Sequence, residues 1–586
     1  MKNPYFSLLR AVWHHGFIWR KKIIGIYLAF IFAQLSLSLS PYAFGRTIDI
    51  LQNFNDQKLP ALIFWLMMGI FVILLFWLFH GPARIIERQI ALKIRQAFVI
   101  ELYEQIRNLP LKWHQDHHSG NTITRINRAS AAIHRFSFSQ FIYIETIIQF
   151  LAAIGFLLWV SLPVGLLSLA SSATAFGIVI FFDKKLIPLY DISNEIDNRN
   201  GAVFFDYMSN MTTILTLRLG GKSQKNLYER LQEIWPSAKK EFFLNELKWF
   251  TLASILNVIQ SFILIGYIIY HLKFSGVIMI GTVVMIFRYQ GELSQVFREL
   301  SLSYSELVQM YTDYNGINSI TNDIKAFGQK TLGEIENKNW KNITIKSLYF
   351  DHEEGKERGK VFKNLSFSIS RKEKIALIGQ SGAGKSTLLN LLCGLYTPSR
   401  VQLIIDDQEF HTLDPLQTIT TLIPQDPEIF ENTIGFNITL GLPKDDFMIR
   451  EAIDLSKFSS VLKTLPEGLN TYIYEKGLNF SVGQKQRLAL ARGLFAARFS
   501  SLILMDEPTS SVDMVTEEEI LSGVLKNFAS SSFIVSLHRL HLLPLFDRII
   551  MLKEGEIVAD GSTSQLLNDQ GPVFDLFVSQ RKNLIF

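Results

Sequence analysis

Six apolar segments precede residue 300, and they constrain the fold more than any other feature of the chain. Each holds close to the ~20 residues that a helix needs to cross a bilayer. Because lipid cannot satisfy backbone polar groups, only helices and closed barrels span a membrane. We therefore predict an all-α transmembrane domain with six spans, roughly Ile23–Phe44, Ala61–Phe79, Phe141–Val160, Val164–Phe182, Phe250–Tyr270 and Val277–Val296.

The composition agrees with a membrane protein surrounded by lipid. Of 586 residues, 48% are hydrophobic and 19% are charged, which is apolar for a soluble chain. The net charge of +5 does not require a nucleic-acid partner. Cytoplasmic loops of membrane proteins produce the same basic excess. We expect no nucleic acid to bind.

Loop charges predict the orientation. The long connections, residues 84–138 and 184–248, carry nine and ten Lys and Arg residues, whereas the three short connections together carry three. The positive-inside rule places both termini and both long loops in the cytoplasm. We expect a multi-pass protein of a bacterial inner (plasma) membrane. Helical spacing in the long loops suggests that spans two to five extend into the cytoplasm, with turns near residues 117–122 and 198–201.

Several polar residues invite a functional interpretation. Glu145, Arg288 and Glu292 lie within predicted spans, where ionisable groups usually face a cavity or a partner. Arg288 and Glu292 are one helical turn apart, so they could line a substrate cavity or form an internal ion pair. His114, His117 and His118 could suggest a metal site, but a solvated turn is the simpler interpretation.

A phosphate-binding P-loop lies in the C-terminal half. Residues 379–387 fit G-x-x-x-x-G-K-[ST], between an apolar strand at 374–378 and a helix from 388. Backbone N–H groups of such a loop surround the phosphates of ATP, the lysine neutralises charge and the hydroxyl coordinates Mg²⁺. The predicted ATP-binding residues are Gly379, Gln380, Ser381, Gly382, Ala383, Gly384, Lys385, Ser386 and Thr387, and Ser386 is also a predicted Mg²⁺ ligand.

Two carboxylates follow a second apolar strand. Strands and helices alternate after Ile343, which predicts an α/β nucleotide-binding domain. The strand 501–505 ends in Asp506 and Glu507. Beside a P-loop, Asp506 would hold Mg²⁺ and Glu507 would polarise the water that attacks ATP.

Residues 479–487 point to a particular protein family. They resemble the signature loop of ATP-binding cassette (ABC) proteins, usually L-S-G-G-Q, at 481 − 385 = 96 residues after the P-loop lysine. The chain is similar throughout to half-size ABC exporters: residues 1–320 as transmembrane domain, 321–340 as linker and 341–586 as ATP-binding domain. The resemblance assigns Ser481, Val482, Gly483 and Gln484 to the signature loop, Gln425 to the Mg²⁺-sensing Q-loop, Asp513 to the D-loop and His538 to the γ-phosphate switch.

The resemblance also implies a dimer in which ATP lies between one P-loop and the partner's signature loop. Three features depart from the family pattern. Val482 replaces the first signature glycine, residues 474–477 differ from V-G-E-x-G although Glu475 remains, and His352 occupies the adenine-stacking position. Tyr349 and Phe350 are nearby alternatives. An altered signature beside an intact Glu507 occurs in heterodimeric exporters, so homodimer and heterodimer both stay open.

The expected activity is ATP-driven transport. We predict an ATP-hydrolysing exporter or flippase for a drug-like, lipid or peptide substrate. The alternatives are an importer of a metal chelate with the exporter fold, or the partner chain of a heterodimeric exporter with one weakened ATP site. Six spans argue against a soluble ABC ATPase, and Glu507 with His538 argues against a regulated channel.

Overall fold

We describe the chain from a computed structural model. It covers residues 3–117, 119–274, 277–327, 340–351, 360–426, 428–443, 445–474, 480–569 and 571–583. The chain divides into two compact units. The first, the helical unit, holds residues 1–107 and 117–326, and the second, the sheet unit, holds residues 108–116 and 327–586.

The helices before residue 328 belong to the helical unit, except for Leu111–Asp116, which belongs to the sheet unit. In chain order the helices are α1 (Pro4–His15), α2 (Arg20–Leu37), α3 (Ser40–Gln52), α4 (Leu59–Arg107), α5 (Leu111–Asp116), α6 (Ser119–Phe138), α7 (Gln140–Val160), α8 (Leu162–Ser209), α9 (Met211–Thr216), α10 (Gly220–Gln232), α11 (Trp235–Phe274), α12 (Ile280–Asn315) and α13 (Asn318–Phe327).

Among the described residues, five helical stretches are long and apolar enough to cross a membrane: Phe17–Gln52, Asp56–Arg107, Thr122–Val160, Leu162–Ser209 and Gly220–Phe274. The sixth predicted segment is also helical, within α12. It is less apolar than the others because it carries Arg288, Gln290, Glu292 and Gln295. The predicted helical transmembrane domain is confirmed, and the sixth predicted segment is helical but is not among the five stretches that are apolar enough to cross a membrane.

The first predicted span is a pair of helices instead of one. Helix α2 ends at Leu37, and α3 begins at Ser40 with Pro41 in its first turn. Proline lacks an N–H, so it suits a helix start and not a helix interior. Only a turn at Ser38 and Leu39 separates the two helices along the chain.

Helices much longer than a membrane span are confirmed, but the second predicted turn is misplaced. Helices α4 and α8 have 49 and 48 residues. At about 1.5 Å per residue each exceeds the ~30 Å hydrocarbon core more than twofold. Residues 198–201 lie inside α8, and the chain turns after Ser209, before the short α9. In the first loop, Ser119 already begins α6, and the short helix before it is α5.

A buried ion pair joins two long helices of the helical unit. Lys248 Nζ of α11 lies 3.3 Å from Asp183 Oδ1 of α8, and the two side chains are 1% and 9% exposed. A buried charge without a partner destabilises the folded state, so removing either residue would leave the other as a costly unpaired charge. Sequence reasoning did not identify this pair.

The sheet unit contains two sheets with helices around them. Its strands are β1 (Asn342–Asp351), β2 (Lys360–Ser370), β3 (Lys374–Gly379), β4 (Arg400–Ile405), β5 (Gln408–Phe410), β6 (Thr420–Ile423), β7 (Leu502–Asp506), β8 (Ser532–Ser536), β9 (Arg548–Lys553) and β10 (Glu556–Ser562). Its further helices are α14 (Lys385–Leu392), α15 (Ile434–Thr439), α16 (Asp446–Leu455), α17 (Ser459–Leu462), α18 (Val482–Ala496), α19 (Met514–Asn527), α20 (Thr563–Asn568) and α21 (Pro572–Asn583).

The sheet topology determines where the site lies. One sheet is antiparallel, in the order β2-β1-β4-β5, and the other has the order β10-β9-β3-β8-β7-β6. In the second sheet β9, β3, β8, β7 and β6 are parallel. Strands β3, β7 and β8 are almost wholly buried apolar runs, as expected for a parallel sheet covered on both faces. The predicted α/β domain is confirmed, and the carboxyl ends of β3, β8, β7 and β6 meet at one edge.

Candidate functional site

The P-loop follows β3, the central strand of this edge. Strand β3 ends at Gly379, and α14 begins at Lys385. Lys385 Nζ donates to the carbonyl oxygens of Gly379 at 2.9 Å and Gln380 at 3.4 Å, so the amine folds back over the loop. Gly384 adopts a left-handed φ of 101°. At Gly379 a Cβ would lie 2.3 Å from the carbonyl oxygen of Leu552, so only glycine fits there.

The two carboxylates lie at the end of β7. Asp506 is buried, and its Oδ1 has no hydrogen-bond partner within the part of the chain that the structure describes. Glu507 has a left-handed φ of 46°, unusual for a residue with a side chain. Its carboxylate lies 2.7 Å from Nε2 of His538 and accepts a 2.9 Å hydrogen bond from Nε2 of Gln425. Residues after β6, β7 and β8 therefore converge on one carboxylate.

Burial and charge adjust the protonation of this group of residues. Burial raises the pKa of Glu507, while His538 and Lys385 partly oppose the rise. Burial also lowers the pKa of Lys385, against the attraction of Glu507 and Asp506. A carboxylate with a raised pKa is a better proton acceptor than an exposed one. Perturbed groups that share a cleft are typical of functional sites.

A buried glutamine that the sequence analysis did not identify supports Glu507. Gln486 of α18 is 4% exposed. Its Nε2 donates to the carbonyl oxygen of Glu507 at 3.3 Å and to Ser510 Oγ at 3.0 Å, and its Oε1 accepts from the Ser511 backbone N–H at 2.8 Å. Sequence analysis could have found Gln486 as a polar residue on the buried face of α18.

The signature residues form the start of α18. Ser481 is the N-cap, and Ser481 and Gln484 form a reciprocal capping box. Val482 is the first helical residue, and it is 63% exposed. At Gly483 a Cβ would lie 3.0 Å from the carbonyl oxygen of Ser511, a tight approach. The local fold therefore accommodates Val482 and leaves little room for a side chain at position 483.

The predicted D-loop residue also caps a helix. Asp513 is the N-cap of α19, and its Oδ1 accepts a hydrogen bond from the Thr516 backbone N–H at 3.0 Å. Hydrogen bonds from Thr516 lower the pKa of Asp513. In the part of the molecule described here, the role of Asp513 is to hold the start of α19.

Some predicted residues lie outside the described part of the chain. These are His352, Glu475 and His118. Phe350, an alternative for adenine stacking, is 6% exposed and packs against Tyr396, whereas Tyr349 is partly exposed.

Among the described residues, His114 and His117 belong to no group of side chains that could share a metal ion. His117 Nε2 lies 3.7 Å from Asp323, and a different set, His14, His15 and Glu101, is close enough to share an ion.

The helical unit holds a polar cavity of 780 Å³. Its lining comes from α2, α3, α4, α7 and α12: Gln34, Leu37, Ser40, Pro41, Phe76, Phe141, Ile142, Glu145, Thr146, Gln149, Phe287, Arg288, Gly291, Glu292, Gln295 and Glu299. All three charged residues singled out within the spans therefore line one cavity. This volume falls in the ~300–1,000 Å³ range of small-molecule sites.

Arg288 and Glu292 line the cavity without pairing. The Arg288 guanidinium lies over the ring of Phe44, 4.1 Å from its centre, and no described residue forms an ion pair with it. Glu292 Oε2 is buried and has no hydrogen-bond partner within the described ranges. Glu145, in contrast, lies 2.6 Å from Nδ1 of His80. The internal Arg288–Glu292 ion pair is therefore absent.

A parallel sheet with a P-loop, two carboxylates and a histidine at its carboxyl edge defines a P-loop ATPase. Here one chain carries it together with a helical membrane domain. Family models agree: the ABC transporter transmembrane region matches residues 23–297, and the ABC transporter model matches residues 362–510. The chain belongs to the ABC transporters, as an ATP-hydrolysing half-transporter of the exporter type.

Similar proteins match almost the whole of this chain. The multidrug resistance-like ATP-binding protein MdlB of Buchnera aphidicola is 25% identical over 99% of both chains. The mitochondrial iron-sulfur clusters transporter ATM1 of Saccharomyces cerevisiae is 25% identical over 97% of this chain and 83% of its own. A solved bacterial Atm1-family ABC exporter with ATP bound has a TM-score of 0.77 at 22% identity, covering 96% of this chain and 100% of that one. The structural likeness supports the fold.

Proposed function

We propose that the edge formed by the carboxyl ends of β3, β6, β7 and β8 hydrolyses ATP and that the helical unit uses this energy to export a substrate. The observation that carries the proposal is the convergence of Lys385, Gln425 and His538 on the carboxylates after β7. Lys385 and the N–H groups of residues 379–387 bind the phosphates. Glu507 accepts a proton from the attacking water, and His538 contacts the γ-phosphate.

The residues fit a magnesium ion. Asp506 offers a buried oxygen without a protein hydrogen bond among the described residues, and Ser386 offers an exposed hydroxyl in the first turn of α14. Oxygen ligands of this kind suit Mg²⁺. Asp506, Ser386 and Gln425 would hold it, and the bound ion would neutralise phosphate charge.

We propose that the working unit is a dimer of half-transporters. Each ATP would then lie between one chain's P-loop and the signature residues Ser481–Gln484 of the other. The N-terminus of α18 suits an anion because its first N–H groups lack intrahelical partners. A homodimer is supported by the complete set of residues in this chain. A heterodimer is favoured by Val482, whose exposed side chain stands beside the N–H groups that would meet the phosphate.

We propose a bacterial inner membrane, with the sheet unit in the cytoplasm and transport directed outward. Bacterial relatives such as MdlB and the loop charges support this placement. The proposed substrate is a drug-like compound, a lipid or a peptide. The names of the relatives point to drugs and to iron–sulfur cargo, and the cavity in the helical unit is the route that we assign to the substrate.

ATP hydrolysis by this chain purified alone in lipid nanodiscs tests the proposal, with Glu507→Gln as control. Hydrolysis that the control abolishes would support two identical sites and a homodimer. A folded chain that binds ATP without turnover would instead favour a heterodimer, and hydrolysis should then appear when a second half-transporter with an L-S-G-G-Q loop is added. A chain that fails to bind Mg·ATP contradicts the proposal.

A further inference from the structure

The charge of the cavity in the helical unit is unbalanced. Its lining includes three carboxylates, Glu145, Glu292 and Glu299, and one guanidinium, Arg288. The formal balance is therefore 1 − 3 = −2. Carboxylates at membrane depth are expensive, and they usually face a partner or a functional cavity.

Glu292 is a lining carboxylate that forms no ion pair with any described residue. Its Oε2 is buried and accepts no hydrogen bond from any described residue. The basic residue one turn before it, Arg288, is turned onto the ring of Phe44. A buried carboxylate oxygen without a hydrogen bond or a direct ion pair gains free energy when a cation arrives and replaces the lost water.

The rest of the lining suits an organic cation more than a bare ion. Phe76, Phe287 and Leu37 supply apolar surface, while Gln149 and Gln295 supply hydrogen-bonding groups. Aromatic faces attract cationic groups, especially where water is excluded. A cavity of 780 Å³ has room for a drug-sized molecule.

We propose that the transported substrates are amphipathic organic cations. The positive group would bind at Glu292, with Glu145 nearby on the facing helix α7, and the apolar body would pack on the phenylalanines. An anion of the same size would be rejected by the net negative lining. This inference rests on the proposed export function, since it assigns the cavity to the transported molecule.

A matched pair of probes tests charge selection directly. Tetraphenylphosphonium and tetraphenylborate have nearly the same size and shape but opposite charge. Nucleotide-free protein in nanodiscs is titrated with tritiated tetraphenylphosphonium, and empty nanodiscs of the same lipid give the partition background. Binding of the borate is measured in separate samples, because the two ions pair in solution. We expect saturable binding of the cation and no saturable binding of the borate.

Two substitutions give opposite expected effects. Glu292→Gln should weaken tetraphenylphosphonium binding by about 10-fold or more, since it removes a charged partner of a buried cation. Arg288→Gln should strengthen binding severalfold, because it removes the positive charge in the lining. A gain of affinity cannot come from misfolding. Glu104→Gln, an exposed carboxylate on the cytoplasmic part of α4, is the matched control and should change nothing.

ATP hydrolysis measured on the same wild-type samples separates the two proposals. If the chain hydrolyses ATP but binds both probes equally, or if both cavity variants change the Kd by less than about twofold, the cation proposal is wrong and the export function remains. If the cation binds as expected but the chain neither binds nor hydrolyses ATP, alone or with a partner, the export function is wrong and the cavity's charge preference remains.

Discussion

Replacing Glu507 with glutamine separates ATP binding from ATP hydrolysis. In the structure the carboxylate holds two contacts, to His538 at 2.7 Å and to Gln425 at 2.9 Å. Glutamine has the same shape and can keep both contacts as neutral hydrogen bonds. Losing the charge assistance costs about 1 kcal/mol for each contact, because hydrogen bonds to charged groups are roughly twice as strong as neutral ones.

The cost to hydrolysis should be larger than this. Glutamine cannot accept the proton of the attacking water, and loss of a general base slows a reaction by about 10²–10⁴-fold, or roughly 3–5 kcal/mol in the barrier. ATP binding should be maintained or tightened, because a negative charge is removed beside Lys385 and the phosphates. Glu507→Gln should therefore trap ATP.

The assay measures phosphate release and radiolabelled ATP retention by the same sample. Glu518→Gln, an exposed carboxylate on α19, serves as the control and should behave as wild type. Turnover by Glu507→Gln within about tenfold of wild type would refute the role of Glu507 as general base. Loss of ATP binding would refute the view that the substitution leaves the geometry intact.

Three further perturbations test the structure. Val482→Gly should raise ATP hydrolysis, because it clears the exposed first turn of α18; a fall in steady-state turnover would contradict an impaired signature loop. Lys248→Met should destabilise the protein by about 3–5 kcal/mol by leaving Asp183 buried and unpaired, and adding Asp183→Leu should recover part of this loss in denaturant unfolding. Gly379→Ala should abolish the thermal stabilisation by Mg·ATP, since its Cβ would meet the Leu552 carbonyl; an affinity equal to wild type would show that the loop can shift.

The residues that meet at the carboxyl edge of the parallel sheet were predictable because they follow local patterns. Each lies just after an apolar strand, and the carboxyl ends of parallel strands meet at one edge of the sheet. Gln486 could not be placed in this way, since its contacts cross from α18 to the loop after β7. His80 was missed for the same reason, because its partner Glu145 lies on another helix.

The membrane domain was predictable in its helices but not in its turns. Asn198 and Gly201 suggested a turn, yet α8 continues through them to Ser209. A glycine in a helix costs only about 1 kcal/mol, which the hydrogen-bonded turns on either side of it in a long helix can outweigh. Conversely, three of the polar residues that make the sixth segment less apolar, Arg288, Glu292 and Gln295, line the cavity.

Val482 illustrates how a departure from a family pattern can be neutral to the fold and still affect function. The capping box of Ser481 and Gln484 forms without any contribution from the side chain at 482. Gly483 is constrained by the Ser511 carbonyl, so substitution there would alter the loop itself. Because the side chain of Val482 is exposed, it does not constrain the backbone of its own chain in this way. In the dimer that we propose, its consequence would fall on the nucleotide of the partner subunit, so kinetics of the assembled dimer, not stability of this chain, would measure it.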